Sequence, residues 1–232
     1  MPGSGELSSQ QPAPIIGREA GLARLRGLVD PGPQASRILV VTGEAGMGKT
    51  VLLADATDRA RLAGMRVLSV TGRESESKLA FAGLHQLLRP VLRAAAGLPG
   101  RQAQALLGAL GLAADPVAAD LLLTGVAVLT LLSDLSERTP VLVVADDAHW
   151  LDRSSLDALA FAASRLDAER VVVLVGARAR HRLPALTGAS RSCLSVRYQR
   201  VTPAGCWTRS LSRPADEPGR RYSPRQRATP WR

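Results

Sequence analysis

The sequence predicts an α/β fold, a parallel sheet with helices on both faces followed by an irregular basic tail. Three observations carry that reading. Four short aliphatic runs, Arg37–Thr42, Arg66–Thr71, Val141–Ala145 and Val171–Val175, are separated by longer helix-forming segments. In Arg37–Thr42, Val141–Ala145 and Val171–Val175 valine, leucine and isoleucine are nearly continuous, as in strands buried on both faces, and Arg66–Thr71 repeats the pattern with Ser69 inside it. The first run leads through a glycine-rich loop straight into a helical segment. With 232 residues and 46% hydrophobic content, the chain has the material for a substantial core. Right-handed crossovers are expected between the parallel strands.

Residues 1–14 are rich in Pro, Gly, Ser and Gln and read as an irregular lead-in without the basic and apolar zones of a signal peptide. After the first strand, Lys49–Ala63 has helix-forming composition, with Leu52, Leu53, Ala56 and Ala60 on one side and Gly64 as its stop. The strand Arg66–Thr71 is followed by a polar stretch, Gly72–Lys78. From Phe81 to Leu92 the apolar positions Phe81, Leu84, Leu88 and Leu92 fall on a helical face that Pro90 kinks or ends.

Two further helices are predicted over Arg101–Leu112 and Pro116–Glu137, the second with proline near its first turn. Its apolar core, Leu121–Leu132, is about twelve residues long, whereas a bilayer span needs roughly 17 to 25. It therefore reads as a buried helix, bounded by Asp120 and Asp134. The strand Val141–Ala145, a helix over Ser154–Leu166 and the strand Val171–Val175 complete the pattern.

The net charge of +10 is unevenly placed. Residues 1–180 carry 19 Lys+Arg against 18 Asp+Glu, and residues 181–232 carry 11 against 2, so the basicity belongs to the tail. Both cysteines, Cys193 and Cys206, also lie there. A cysteine-free body and no apolar span predict a cytoplasmic protein with no membrane partner.

Gly43-Glu44-Ala45-Gly46-Met47-Gly48-Lys49-Thr50 meets the Walker A pattern, between strand and helix as that pattern requires. Its glycines let backbone N–H groups turn around phosphates at the positive end of the next helix. Lys49 is placed to reach the β- and γ-phosphates and the Thr50 hydroxyl to bind Mg²⁺, with Val51 completing the first helical turn. Val141–Asp147 fits a Walker B strand, which lifts an acidic pair to the carboxyl edge of the sheet, where ligands bind in open α/β folds. Asp146 is the candidate for holding Mg²⁺ and Asp147 for orienting or deprotonating the attacking water. The alternative is that the pair only caps a helix.

Arg178, at the end of the fourth strand, is a candidate stabiliser of phosphoryl charge, the alternative being a solvated strand-end arginine. His149 and Trp150 read as packing for the loop, and His85 as a locally bonded helix residue.

Several separated motifs resemble one family in order: Ile16-Gly17-Arg18-Glu19, Gly43–Thr50, Glu74-Ser75-Glu76 with Phe81–Pro90, and Asp146–Asp152. From about residue 15 to 180 the chain resembles the ATPase domain of the large ATP-binding regulators of the LuxR family, in the STAND class of signalling P-loop NTPases. The resemblance implies that Gly17 and Arg18 lie near an adenine, that Arg178 acts as a sensor and that ATP is the nucleotide. In such proteins a helical lid, a helical-repeat sensor and a DNA-binding helix-turn-helix follow, so this chain alone is expected to make no sequence-specific DNA contact. A fifth strand is also implied after Arg178, and only Cys193–Arg197 has a pattern to supply it.

Three functions follow as expectations. The first is an ATP- and Mg²⁺-binding signalling switch, at most a slow ATPase. The second is a non-specific nucleic-acid binder acting through the arginine-rich tail. The third is an inert truncated fragment whose sheet, short of a strand, self-associates through an apolar edge.

The change of composition near residue 185 suggests a frame-shifted translation of a GC-rich gene, against a natural basic disordered tail. Translating the DNA past codon 180 in the other two frames is expected to continue the family pattern. Its absence from both frames overturns the frame-shift account.

Overall fold

The computed structural model describes residues 37–113, 119–180 and the strands 193–199 and 208–212, with the single positions 27 and 183. The elements run β1 (Arg37–Gly43), α1 (Lys49–Leu62), β2 (Arg66–Thr71), α2 (Ala82–Leu88), α3 (Gly100–Ala109), α4 (Leu121–Arg138), β3 (Val141–Asp146), α5 (Arg153–Ala163), β4 (Val171–Arg178), β5 (Cys193–Gln199) and β6 (Thr208–Ser212). Short 3-10 segments occupy Glu74–Glu76, Arg89–Gly97 and Ala148–Trp150.

The sheet order is β2-β3-β4-β1-β5-β6, parallel from β2 to β5, with β6 antiparallel at the edge. Strand alternation divides the core into two layers. Ile38, Val40, Val141, Val143, Val171 and Val173 pack under α2 to α5, whereas Leu39, Val41, Leu142, Val144, Val172 and Leu174 pack under α1. Both faces are therefore dry, at roughly 1.5–3 kcal/mol for each large aliphatic side chain buried. The predicted parallel sheet with helices on both faces is the observed one.

Helix α1 ends as its sequence dictates. Gly64 takes φ +76°, its N–H donates to the Arg61 carbonyl at 3.0 Å, and the Met65 N–H donates to the Ala60 carbonyl at 2.8 Å. This left-handed cap satisfies carbonyls that the helix leaves open.

The structure departs most from expectation at two helices and in the tail. The helix read from Pro116 starts at Leu121, where the Asp120 carboxylate accepts from the Leu123 N–H at 2.9 Å; residues 114–118 lie outside the described ones. The helix read over Phe81–Leu92 stops at Leu88 and tightens into the 3-10 segment Arg89–Gly97, with Pro90 in its first turn. Proline lacks the N–H that an α-helix would use there. In the segment read as irregular, two strands form, and β5 aligns parallel to β1 from Ile38↔Cys193 to Gly43↔Tyr198. The sheet thus has a fifth strand beside β1, where the resemblance implied one, and Cys193–Arg197 supplies most of it. The remaining tail positions, like the lead-in, lie outside the described residues. Among the described residues no helix is long and apolar enough to cross a membrane.

Asp152 joins two helices from a buried position, with 3% exposure. Its carboxylate caps α5 by accepting from the Ser155 N–H at 2.9 Å. It also accepts from the N–H groups of Phe81 at 2.8 Å and Gly83 at 3.0 Å, at the start of α2. Ser155 Oγ adds an acceptor for the Leu84 N–H at 2.7 Å. Phe81 is held there at φ +62°, a conformation that costs an L-residue roughly 1–2 kcal/mol.

Asp152→Ala strands three buried donors and is expected to cost about 3–5 kcal/mol of unfolding free energy in urea titration. The exposed cap change Asp120→Ala should cost about 1 kcal/mol. Equal losses for the two variants would show that Asp152 is an ordinary cap.

Candidate functional site

The carboxyl ends of β1, β3 and β4 bring the predicted residues together. Strand alternation puts Asp146 on the same face as Leu142 and Val144, and Arg178 on that of Val172 and Leu174, which is the α1 face. Backbone register sets Gly43 opposite Arg178, and the Ala179 N–H donates to the Gly43 carbonyl at 3.3 Å. The glycine loop and the strand-end arginine are thus neighbours.

The loop is shaped by left-handed glycines, Gly46 at φ +73° and Gly48 at φ +71°, with Gly48 at the N-cap of α1. Met47 is buried in the core under α1 and anchors the loop, while Glu44, Ala45 and Gly46 are exposed. A Cβ built on Gly46 meets nothing within 4 Å, so space is open on that side. Thr50 and Val51, in the first turn of α1, are exposed.

Lys49 is only 7% exposed, and its ammonium donates to the carbonyls of Gly43 and Glu44, each at 3.0 Å. Burial pushes its pKa below the ordinary lysine value. The charges of Asp147, Asp146 and Glu44 act against that shift, and Arg178 acts with it. These groups share one electrostatic neighbourhood with the loop.

Asp146 is 9% exposed, and its Oδ1 accepts from the Asp147 N–H at 2.8 Å. Asp147 turns at φ 45°, ψ 41°, in the left-handed region that aspartate tolerates better than most residues. This reverses the chain from β3 into the Ala148–Trp150 turn and leaves the Asp147 side chain 44% exposed. Asp147 Oδ1 lies 3.8 Å from Nδ1 of His149, whose side chain is fully buried.

The packing read for His149 and Trp150 is accompanied by a contact that spacing did not reveal. The Trp150 ring lies 5.1 Å from that of His149, and the Arg178 guanidinium sits 5.9 Å from the Trp150 centroid. Gly17 and Arg18 lie outside the described residues. His85 lines a separate cleft of about 670 Å³ with Arg73, Phe81, Gln86 and Arg89, away from the loop.

Two glycines that the motifs did not include shape the acidic turn. A Cβ on Gly72 would fall 2.3 Å from the Asp147 carbonyl oxygen, and the Gly72 N–H donates to the Asp146 carbonyl at 2.9 Å. A Cβ on Gly176 would fall 2.8 Å from Asp146 Oδ1. An isolated glycine inside or just beyond an aliphatic run was the available signal.

Residues 14–175 match the family described as AAA ATPase domain. No curated protein matches the chain. Among solved structures, Cdc6p from Pyrobaculum aerophilum is similar at 18% identity and TM-score 0.48, over 81% of this chain and 47% of that one. The ORC1 protein of Aeropyrum pernix, solved in complex with DNA, is similar at 20% identity and TM-score 0.45, over 82% and 47%. A Rhizobiales Trip13 aligns at 16% identity and TM-score 0.40, over 79% and 62%. The chain thus spans about half the length of the first two.

With the folded pKa of Lys49 below its unfolded value, the folded chain binds fewer protons between the two, and stability rises with pH across that window. The stability of the wild type relative to Lys49→Met is therefore expected to rise as pH climbs toward the ordinary lysine pKa. Paired urea titrations at several pH values measure the difference. A difference that falls with pH overturns the burial account.

Proposed function

The chain belongs to the AAA ATPase domain family, and from that premise we propose that it is an ATP·Mg²⁺-binding switch module of the kind that large LuxR-family regulators carry. The single observation that supports this most is the buried Lys49 ammonium. It sits in a glycine loop, among the charges of Asp146, Asp147 and Arg178, on one face of one sheet edge.

The residues fit a nucleoside triphosphate with a divalent cation. An ammonium held by two loop carbonyls can exchange them for phosphate oxygens, and the start of α1 faces the same loop. Thr50 and Asp146 provide the oxygen donors that Mg²⁺ prefers, with water completing its shell. Gly43, Glu44, Ala45, Gly46, Met47, Gly48, Lys49, Thr50 and Val51 form the proposed phosphate cradle. Gly17 and Arg18 are proposed at the adenine on the resemblance alone.

Bound ATP would bring the transferable phosphoryl group and Mg²⁺ the charge that neutralises its oxygens. The chain's own residues then divide the work. Lys49 leaves its carbonyl partners to bind anionic oxygen. Asp146, buried and pinned through Oδ1, keeps a fixed carboxylate at the strand end. Asp147, more exposed, orients water and accepts its proton in slow hydrolysis.

Arg178 supplies the switch. Its guanidinium lies over Trp150 and moves toward developing negative charge at the loop, and the Trp150 turn leads directly into the Asp152 junction with α2. Nucleotide state is thereby relayed to the segment between β2 and α2.

Lys49→Ala removes charge-assisted bonds worth roughly 1.5–3 kcal/mol and is expected to weaken ATP binding about 10- to 150-fold in calorimetric titration. Asp147→Asn should bind within about twofold of wild type and lose turnover. Unchanged affinity in Lys49→Ala would show that the loop is not the site.

A further inference from the structure

We infer that Gly176 is a positioning residue for the Asp146 carboxylate, setting the affinity of the site for its divalent cation; this rests on the reading above that Asp146 holds Mg²⁺ beside bound ATP.

Gly176 interrupts β4, otherwise the aliphatic run Val171–Val175 followed by Ala177, and it is buried. Glycine weakens a strand interior, since it adds no side chain to the packing and loses more backbone freedom on folding. Its backbone does not account for it. Gly176 is not among the positive-φ residues, so any L-residue could adopt its conformation.

The reason lies in what surrounds the missing Cβ. A Cβ there would sit 2.8 Å from Asp146 Oδ1 and 2.9 Å from Leu53 Cδ1. Asp146 and Gly176 lie on adjacent strands, on the face that α1 covers, and Leu53 is a buried residue of α1 three positions after Thr50. The same Oδ1 already accepts the Asp147 N–H at 2.8 Å.

A methyl group inserted at Gly176 must therefore displace either a leucine locked in the core or a short carboxylate whose Oδ1 accepts the Asp147 N–H. The carboxylate yields more readily, because a side-chain rotation carries Oδ1 away at the loss of the Asp147 N–H bond, while Leu53, 2% exposed, has packed core atoms on every side. Displacement breaks the Asp146–Asp147 bond and moves the oxygen donor that the cation needs. The phosphate-binding loop, on β1 and α1, is left in place.

Nucleotide affinity and Mg²⁺ affinity, which a general packing defect would change together, therefore come apart. In Gly176→Ala, ATP affinity in EDTA is expected to stay within about twofold of wild type. The Mg²⁺ concentration needed to tighten ATP binding should rise about 10- to 100-fold, the usual effect of disturbing a group that orients a metal ligand. Asp146→Asn should give the same profile.

Should Gly176→Ala fail to fold, Gly176→Ala with Leu53→Val removes the Leu53 Cδ1 contact and leaves the Asp146 contact, so it should fold and retain the Mg²⁺ defect. A wild-type Mg²⁺ profile in whichever variant folds overturns the inference. Equal losses with and without Mg²⁺ also overturn it, in favour of simple packing. A wild-type chain that binds no ATP overturns the nucleotide reading and this inference together, and is seen before any variant is made.

Discussion

The constraint on which the rest of the molecule depends is the burial of β1, β3 and β4 on both faces. Their interior positions are buried, so past Arg37 at the start of β1 each carries aliphatic or small side chains until it emerges at its carboxyl end. Because the three run parallel, their first polar positions emerge along one edge. Alternation then selects the face, and for Asp146 and Arg178 that face is the one on which α1 begins with Lys49 and Thr50. The site follows from the rule that charge cannot lie inside a dry parallel sheet.

Packing at that edge is unusually close for reasons visible in three small or short residues. Gly72 lets the acidic turn approach the end of β2, Gly176 leaves room for the Asp146 carboxylate, and Asp152 uses one buried carboxylate to cap α5 and to hold the start of α2. These contacts make the turn after β3 a mechanical link between the strand ends and the helices on the far face. A shift of the turn by a fraction of an ångström would be felt in α2, because packed interiors do not deform continuously. The proposed switch uses that stiffness.

The segment beyond Arg178 changes the picture of the sheet more than that of the site. With β5 beside β1, the strand that carries the phosphate loop is central, paired on both sides, and its terminal Gly43 lies between Arg178 and Tyr198 in register. A central β1 is better able to fix the loop than an edge strand would be, since pairing on either side limits its twist and slippage. The charge imbalance of the tail remains a property of its composition and does not by itself identify a partner.

The sequence by itself determined the class of the fold, the strands near the loop and the identity of the charged residues. A Val-Leu-rich run ending in Gly43, another ending in Asp146-Asp147 and Gly64 after a helical segment each follow from local rules of burial, spacing and backbone freedom. It determined less at Pro116 and Leu92, where a helix boundary depends on which donor satisfies the first turn, and at Cys193–Gln199, where a strand forms by pairing with one that precedes it by more than a hundred positions. Only the tertiary structure decided that Trp150 meets Arg178, that Asp152 caps two helices and that Gly176 faces Asp146. Those relations join residues far apart in the chain, and no period of 2 or 3.6 encodes a contact whose cause is the register of one strand against another.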